Sequence, residues 1–206
     1  MKRLAVFLCL IPIFCGFALA ENPSVTVTAN IPDGSGEDQP EESITVNGIT
    51  LVFAVKGDDE PTSWGTNGVE KWTDFVDGKA TVYADLTGNQ DKFKETDNVA
   101  YDDFYICVKA TGNNLSANKK VSVSFSSKGL KNGDETITLS MPASAREAET
   151  GITAEESGNT LTITHPAGNL TGSNFFAGFS HVTWTQDASY PAGDYTGTIT
   201  ISIQAA

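Results

Sequence analysis

Residues 44–53 read Ile-Thr-Val-Asn-Gly-Ile-Thr-Leu-Val-Phe. Apolar and polar residues alternate on both sides of Asn47-Gly48, which is typical of β-strands that bury one face. Asn-Gly is also the dipeptide that best tolerates the two positive φ angles of a type I′ turn. This stretch therefore predicts a β-hairpin, and it predicts that a folded body begins near Ile44.

The same alternation recurs along most of the chain, and no long helical pattern accompanies it. Further strands are expected at 24–31, 81–86, 104–110, 121–125, 137–141, 161–163, 182–184 and 195–203. Two regions differ: residues 143–150 suit a turn or two of helix, and residues 57–75 suit long loops with a short strand. About eight or nine short strands separated by Gly-rich turns predict an all-β, immunoglobulin-like β-sandwich.

The first twenty residues have the layout of a cleaved secretory signal. Lys2 and Arg3 give a positive start, residues 4–14 are apolar, and Ala18-Leu19-Ala20 ends the segment with small residues. The apolar run is shorter than the roughly 20 residues that span a bilayer. We therefore expect export to the periplasm, the cell surface or the extracellular space, without insertion into a membrane.

Charge and cysteine content fit an exported chain. Without Lys2 and Arg3, eleven basic and 26 acidic residues leave a net charge of −15, which repels nucleic acid and anionic lipid. Cys107 is the only cysteine beyond residue 20, so no disulfide is expected within the mature chain. It lies in an apolar strand, where burial raises the pKa of a thiol, and we expect an inert core residue.

A change of composition separates the first strand from the body. Residues 32–43 are rich in Gly, Pro, Asp and Glu, which predicts a flexible acidic linker. The expected organisation is a signal peptide at 1–20, an N-terminal strand at 21–31, the linker at 32–43 and a β-sandwich domain at 44–206.

The residues predict no catalytic site, metal or cofactor. His165 and His181 lack the spacing and partner ligands of a zinc site, and both are expected at the surface. No Gly-x-Ser-x-Gly turn or phosphate-binding loop occurs. The acidic clusters at 58–60 and 102–103 leave glycoside hydrolysis or calcium binding open as alternatives.

The strand before the linker has an apolar side. A tethered strand of this kind can pair with its own sheet or with an exposed sheet edge of another molecule. Donation from head to tail does not close on itself, and so it builds filaments. The apolar side consists of Val25, Val27, Ala29 and Ile31.

Both ends of the chain resemble chaperone–usher pilin subunits, particularly the alpha-type colonisation-factor and spore-coat-U-like subunits. Residues 25–31 look like an N-terminal donor strand, and residues 192–203 (Ala-Gly-Asp-Tyr-Thr-Gly-Thr-Ile-Thr-Ile-Ser-Ile) look like the closing strand. The resemblance implies a structural or adhesive surface subunit whose partners are copies of itself or a periplasmic chaperone. It implies that the apolar side of the donor strand enters a neighbour's groove, and that the closing strand contributes Tyr195, Gly197, Ile199, Ile201 and Ile203.

An alternative is a monomeric carbohydrate-binding or adhesin domain. Trp64 and Trp72 lie in loop-like sequence, where an indole can stack on a sugar or pack against the end of the sandwich. Both are therefore candidate glycan contacts. Trp184 lies in an expected strand and is predicted to belong to the core.

Overall fold

The computed structural model describes residues 24–30, 43–57, 59–64, 72–74, 79–86, 100–112, 114–146, 151–172, 175–187 and 195–206. These residues form fifteen β-strands and no helix. The number exceeds the eight or nine predicted because seven strands have five residues or fewer, a length at which alternation is hard to detect. The strands are β1 (Ser24–Asn30), β2 (Ser43–Val46), β3 (Ile49–Gly57), β4 (Trp72–Asp74), β5 (Lys79–Ala84), β6 (Ala100–Tyr101), β7 (Phe104–Thr111), β8 (Lys119–Ser127), β9 (Leu130–Asn132), β10 (Glu135–Ile137), β11 (Ala143–Ala145), β12 (Thr153–Ser157), β13 (Thr160–His165), β14 (Phe176–Val182) and β15 (Thr196–Ala205).

The strands form two sheets of an all-β sandwich, which confirms the predicted fold class. The nine-stranded sheet has the order β12-β13-β8-β15-β1-β5-β6, with β9 and β10 attached beside β15. The six-stranded sheet has the order β11-β14-β7-β3-β2, with β4 also paired to β3. Neighbours are antiparallel except for β1 with β15 and β5 with β6, which are parallel. The immunoglobulin-like topology stays a prediction.

The hairpin predicted at residues 44–53 is formed by β2 and β3. Val46 lies opposite Ile49 in the register, so Asn47 and Gly48 make a two-residue turn. Their φ angles are 52° and 78°, both positive as a type I′ turn requires. The side-chain amide of Asn47 donates to the carbonyl oxygen of Lys120, 3.0 Å away, and joins the turn to β8.

The main core lies between the sheets and consists of the inward members of the alternating strands. β8 contributes Val121, Val123 and Phe125, all fully buried. The other strands contribute further apolar side chains of less than 10% exposure, including Leu51, Phe53, Ile106, Val108, Leu161, Ile163, Ile199, Ile201 and Ile203. Because the alternation places these side chains on one face of each strand, sheet pairing and burial reinforce one another.

Two local expectations were wrong. The strand predicted at 137–141 does not form, because β10 ends at Ile137 and Ser140 makes only an isolated bridge to Thr183. Residues 143–145 form the edge strand β11 and not a helix, because they pair with β14, where Ser144 lies opposite Phe179. Tertiary pairing overrides a weak helical preference in so short a segment. The short strand expected within 57–75 exists as β4. The signal peptide and residues 31–42, which include most of the predicted linker, lie outside the described residues.

Candidate functional site

The N-terminal strand occupies a central place in the nine-stranded sheet. β1 pairs in parallel with β15 and antiparallel with β5, so it is hydrogen-bonded along both sides. Within the described residues it is the connection between β15 and the β5–β6 pair. The strand predicted to be a donor therefore fills a slot in its own sandwich, which we call the β1 slot: the space between β15 and β5.

The register aligns the apolar side of β1 with buried members of both neighbours. Val25 lies opposite Val82, and Val27 lies opposite Ala80 on one side and Ile199 on the other. Val82, Ala80 and Ile199 are buried. Ala29 lies opposite Ile201, which is also buried, and Ile31 lies outside the described residues.

The predicted closing strand forms the other wall of the slot. Tyr195, just before β15, is 2% exposed, and the three isoleucines of β15 are equally buried. A Cβ added at Gly197 would approach the carbonyl oxygen of Gly129 to 2.6 Å and Leu130 to 2.7 Å. The glycine in this strand is therefore required by the close approach of the loop between β8 and β9.

A second candidate site lies on the outer face of the six-stranded sheet. The outward members of β7 and β14 form a second apolar cluster, in which every core member is less than 7% exposed. Trp64, half-buried, packs against this cluster from the loop after β3. We call this surface the outer aromatic face; its cluster comprises Tyr105, Cys107, Phe176 and Phe179, with Trp64 against it.

Of the two tryptophans proposed as glycan contacts, Trp64 belongs to the outer aromatic face, and Trp72 lies on β4 of the same sheet. Trp64 has its ring centroid 6.5 Å from that of Phe176. Position 72 lies opposite Lys56 in the register of β3 and β4, and Lys56 lies opposite Tyr105 in β7. Trp184, predicted to be core, is half-buried and donates through Nε1 to the Asp85 carbonyl oxygen, 3.1 Å away.

A β-bulge brings Phe176 and Phe179 onto one face. Residues three apart in a regular strand point to opposite faces. The register between β14 and β7 shifts between Phe176 and Gly178, so Phe176 lies opposite Lys109 and Phe179 opposite Cys107. Gly178 has φ +152°, and a Cβ there would overlap the carbonyl oxygen of Ser144. Strict alternation could not reveal this cluster, and the only sequence signal was the glycine inside an apolar strand.

Three basic side chains lie against aromatic rings on or beside this face, and one of these rings, Phe175, packs against the main core. The Lys109 ammonium lies 5.9 Å from the ring centroids of both Trp64 and Phe175. The Arg146 guanidinium lies 4.8 Å from the Phe179 centroid and is paired with Glu60. The imidazole of His181 stacks on Tyr105 with centroids 4.4 Å apart, and its Nε2 lies 2.8 Å from the Asp103 carboxylate.

Burial controls the titration of two groups on the outer aromatic face. Removal from water raises the pKa of the Cys107 thiol far above its ordinary value, with Lys56 opposing the rise in part. Burial also raises the pKa of the Tyr105 phenol, helped by the nearby charges of Asp103 and Asp59. Cys107 is fully buried, which confirms the core position predicted from the sequence; its lack of reactivity stays a prediction.

The acidic clusters are engaged in contacts of ordinary kinds. Glu60 pairs with Arg146, Asp103 with His181, and Asp102 accepts from the side chain of Gln186 at 2.9 Å. Asp58 lies outside the described residues. Among the residues that the structure does describe, no three His, Cys, Asp or Glu side chains are grouped to hold a metal ion.

His165 is not at the surface, contrary to the sequence-based expectation. It is fully buried, with Nδ1 2.7 Å from the Pro166 carbonyl oxygen and Nε2 3.0 Å from that of Gly112. The alternation that buries Leu161 and Ile163 points residue 165 to the same side, so the signal was present in the sequence. His181 is half-buried through its contacts with Tyr105 and Asp103.

Comparisons of the chain with protein-family models, with curated proteins and with solved structures found no match. Across the described ranges, no helix is long and apolar enough to cross a membrane.

Proposed function

We propose that this protein is an exported, pilin-like structural or adhesive surface subunit that assembles with copies of itself by exchanging strand β1. The observation that supports this is the position of β1. It comes before all the other described strands in the sequence, yet it lies inside the nine-stranded sheet with β15 on one side and β5 on the other. An identical strand from a second copy would make the same contacts in the same slot, which is the basis of domain swapping.

The length of chain after β1 makes such an exchange feasible. Twelve residues, 31–42, join β1 to β2, and a fully extended segment of that length spans about 40 Å. Its Gly, Pro and acidic composition does not favour packing against the body. β1 can therefore reach another copy while the body keeps its fold. Passing β1 from head to tail gives an open filament, whereas a reciprocal swap gives a closed dimer.

The β1 slot also explains why a chaperone would be needed during export. Without β1, the facing edges of β15 and β5 would present unpaired backbone groups, and such edges aggregate. The resemblance to chaperone–usher subunits identifies a periplasmic chaperone as a partner that would protect the slot until the next β1 arrives.

Cysteine cross-linking tests the proposal. Thr26 of β1 lies opposite Thr81 of β5, and directly opposed residues of antiparallel strands are close enough for a disulfide. The variant Thr26→Cys/Thr81→Cys, expressed from Glu21 and refolded at high concentration, is oxidised and run on a denaturing gel. Exchange predicts a ladder of covalent oligomers, because each cysteine of one copy joins the opposite cysteine of another.

Two controls make the result interpretable. Thr26→Cys/Thr162→Cys places the second cysteine on β13, which does not pair with β1, and it should give no ladder. Dilute refolding of the first variant should give a cross-linked monomer that runs faster than the reduced chain. If the concentrated sample also gives only this monomer, β1 stays within its own chain and the assembly proposal fails.

A second candidate function is a monomeric carbohydrate-binding or adhesin domain. The outer aromatic face favours it, because Trp64 is half-buried beside further rings and cationic groups, and sugars stack on exposed aromatic rings. Both proposals are of a non-enzymatic protein. They are supported by the engagement of Glu60 and Asp103 with basic partners, because a catalytic carboxyl pair needs one member that stays protonated and accessible.

A further inference from the structure

We propose that Lys109, Trp64 and Phe175 form a binding site for an acidic sugar, a hexuronate or a similar carboxylated pyranose. The inference rests on the carbohydrate-binding function proposed above and is independent of strand exchange. It names the chemical class of the ligand and the side chains that bind it.

The position of Lys109 is set by a rigid element. It lies on β7, paired with β3 on one side and with β14 on the other, opposite Val52 and Phe176. Its side chain leaves the sheet on the outer aromatic face, and its ammonium lies 5.9 Å from both the Trp64 and the Phe175 ring centroids. The cation is thus equally distant from two aromatic rings, and all three side chains remain partly exposed.

Lys109 differs from Arg146 and His181 in its charge balance. Arg146 is paired with Glu60, and His181 with Asp103. No carboxylate of the described residues pairs with Lys109, in a chain with 26 acidic residues. An anionic ligand would supply Lys109 with the carboxylate partner that Arg146 and His181 find within the protein.

The two rings select among anions. A carboxylate binding the ammonium at about 2.8 Å would place the remainder of the ligand against the Trp64 or Phe175 ring. The aliphatic C–H face of a pyranose suits such a ring, whereas a small inorganic anion or acetate gains nothing from it. A neutral sugar would gain the stacking and lose the charge-assisted hydrogen bond. The combination of cation and ring therefore favours an acidic sugar over both.

The test is a titration of the chain from Glu21 with sodium glucuronate at constant ionic strength, followed by NMR of the indole N–H signals. Glucose and acetate are titrated in parallel. We expect saturable shifts with glucuronate and affinities at least tenfold weaker for both controls. Glucose lacks the charge-assisted hydrogen bond, and acetate lacks the contact with the ring. Lys109→Met should weaken glucuronate binding about tenfold or more, Lys109→Arg should restore most of it, and Lys131→Met, which changes an exposed lysine of β9, should have no effect.

Three outcomes would overturn the inference. The absence of saturable shifts with glucuronate would show that there is no site. Equal affinity for glucose, with no effect of Lys109→Met, would show a neutral-sugar site and leave the carbohydrate-binding proposal intact. Equal affinity for acetate would show a bare cation without a contribution from the rings. Lys109→Arg separates loss of the charge from misfolding, because it alters the side chain and keeps the charge. If Lys109→Arg binds glucuronate while Lys109→Met does not, the protein tolerates a substitution at this position and the loss is due to the charge.

Discussion

The two outer faces of this sandwich are built on opposite principles. The outer face of the nine-stranded sheet presents small hydroxyl side chains in rows across β13, β8 and β15; its members include Thr160, Thr162, Ser122, Ser124, Ser126, Thr198, Thr200 and Ser202, all at least partly exposed. The outer face of the six-stranded sheet buries the rings of Tyr105, Phe176 and Phe179 around a thiol.

This difference shows how one sheet can be left to solvent while the other supports an additional layer. Ser124 and Thr160 satisfy each other through hydroxyl groups 2.9 Å apart, so the hydroxyl face needs no cover. The aromatic rings need one, and the loop carrying Trp64 supplies part of it. Satellite apolar clusters beneath long loops are where binding surfaces are often built, and the comparison therefore directs the search for a ligand to the aromatic side.

The largest expected effect is the removal of a ring from the aromatic face. Phe179 contacts Tyr105 edge-on with centroids 5.2 Å apart, stacks near Phe176, and lies beneath the Arg146 guanidinium. Phe179→Ala should lower the free energy of unfolding by about 3–5 kcal/mol through lost burial and the cavity left behind. Urea denaturation monitored by circular dichroism measures this. A loss below about 1 kcal/mol would mean that the cluster contributes little to stability.

The bulge that assembles the aromatic face should be almost as sensitive. Gly178→Ala introduces a Cβ at φ +152° that overlaps the Ser144 carbonyl oxygen. We expect a loss of about 1–3 kcal/mol from backbone strain and displacement of β11. Gly133→Ala is the matched control, because its φ is also positive at +59° and its Cβ would meet nothing within 4 Å. Similar losses for both variants would indicate that φ alone, and not the packing at β11, determines the cost at 178.

Alkaline pH should weaken the aromatic face selectively. The folded state raises the pKa values of Cys107 and Tyr105, so above about pH 9 the folded chain holds protons that the unfolded chain releases. Stability is then complete below the ordinary pKa and falls as the pH rises, by up to about 1.4 kcal/mol per pH unit for each group. Thermal unfolding between pH 7 and pH 11 measures the slope. Cys107→Ala should make it shallower, and an unchanged slope would exclude the thiol as its cause.

The smallest effect is expected on the hydroxyl face. Ser124→Ala removes one hydroxyl of the pair with Thr160, which is partly exposed to water. We expect a change of less than about 0.5 kcal/mol, as at most surface positions. The measurement is the same urea titration used for Phe179→Ala. If Ser124→Ala lowered the free energy of unfolding as much as Phe179→Ala, the two faces would contribute equally to stability and the comparison would be wrong.

Particular residues show which features of the fold and of the candidate site could be predicted from the sequence. Alternation identified β8 and β15, and the Asn47-Gly48 dipeptide identified the first hairpin with its turn type. The same alternation pointed His165 inward, but its polarity and the following proline suggested the surface. The sequence could not show that one of the two carbonyl oxygens at its ring comes from Gly112, far away in the chain. The outer aromatic face was missed, since a bulge at Gly178 and a loop from residues 59–64 create it.

The sequence by itself determined what depends on neighbours along the chain: most of the longer strands, the turn with two positive φ angles, the isolated thiol and the strongly acidic charge. Only the tertiary structure decided where β1 lies, which rings meet outside the six-stranded sheet, and which basic groups there pair with a carboxylate of the described residues. The physical reason is that period-two alternation assigns a residue to a face of its strand, whereas the identity of the neighbouring strand depends on hydrogen bonds and burial between segments far apart in the chain.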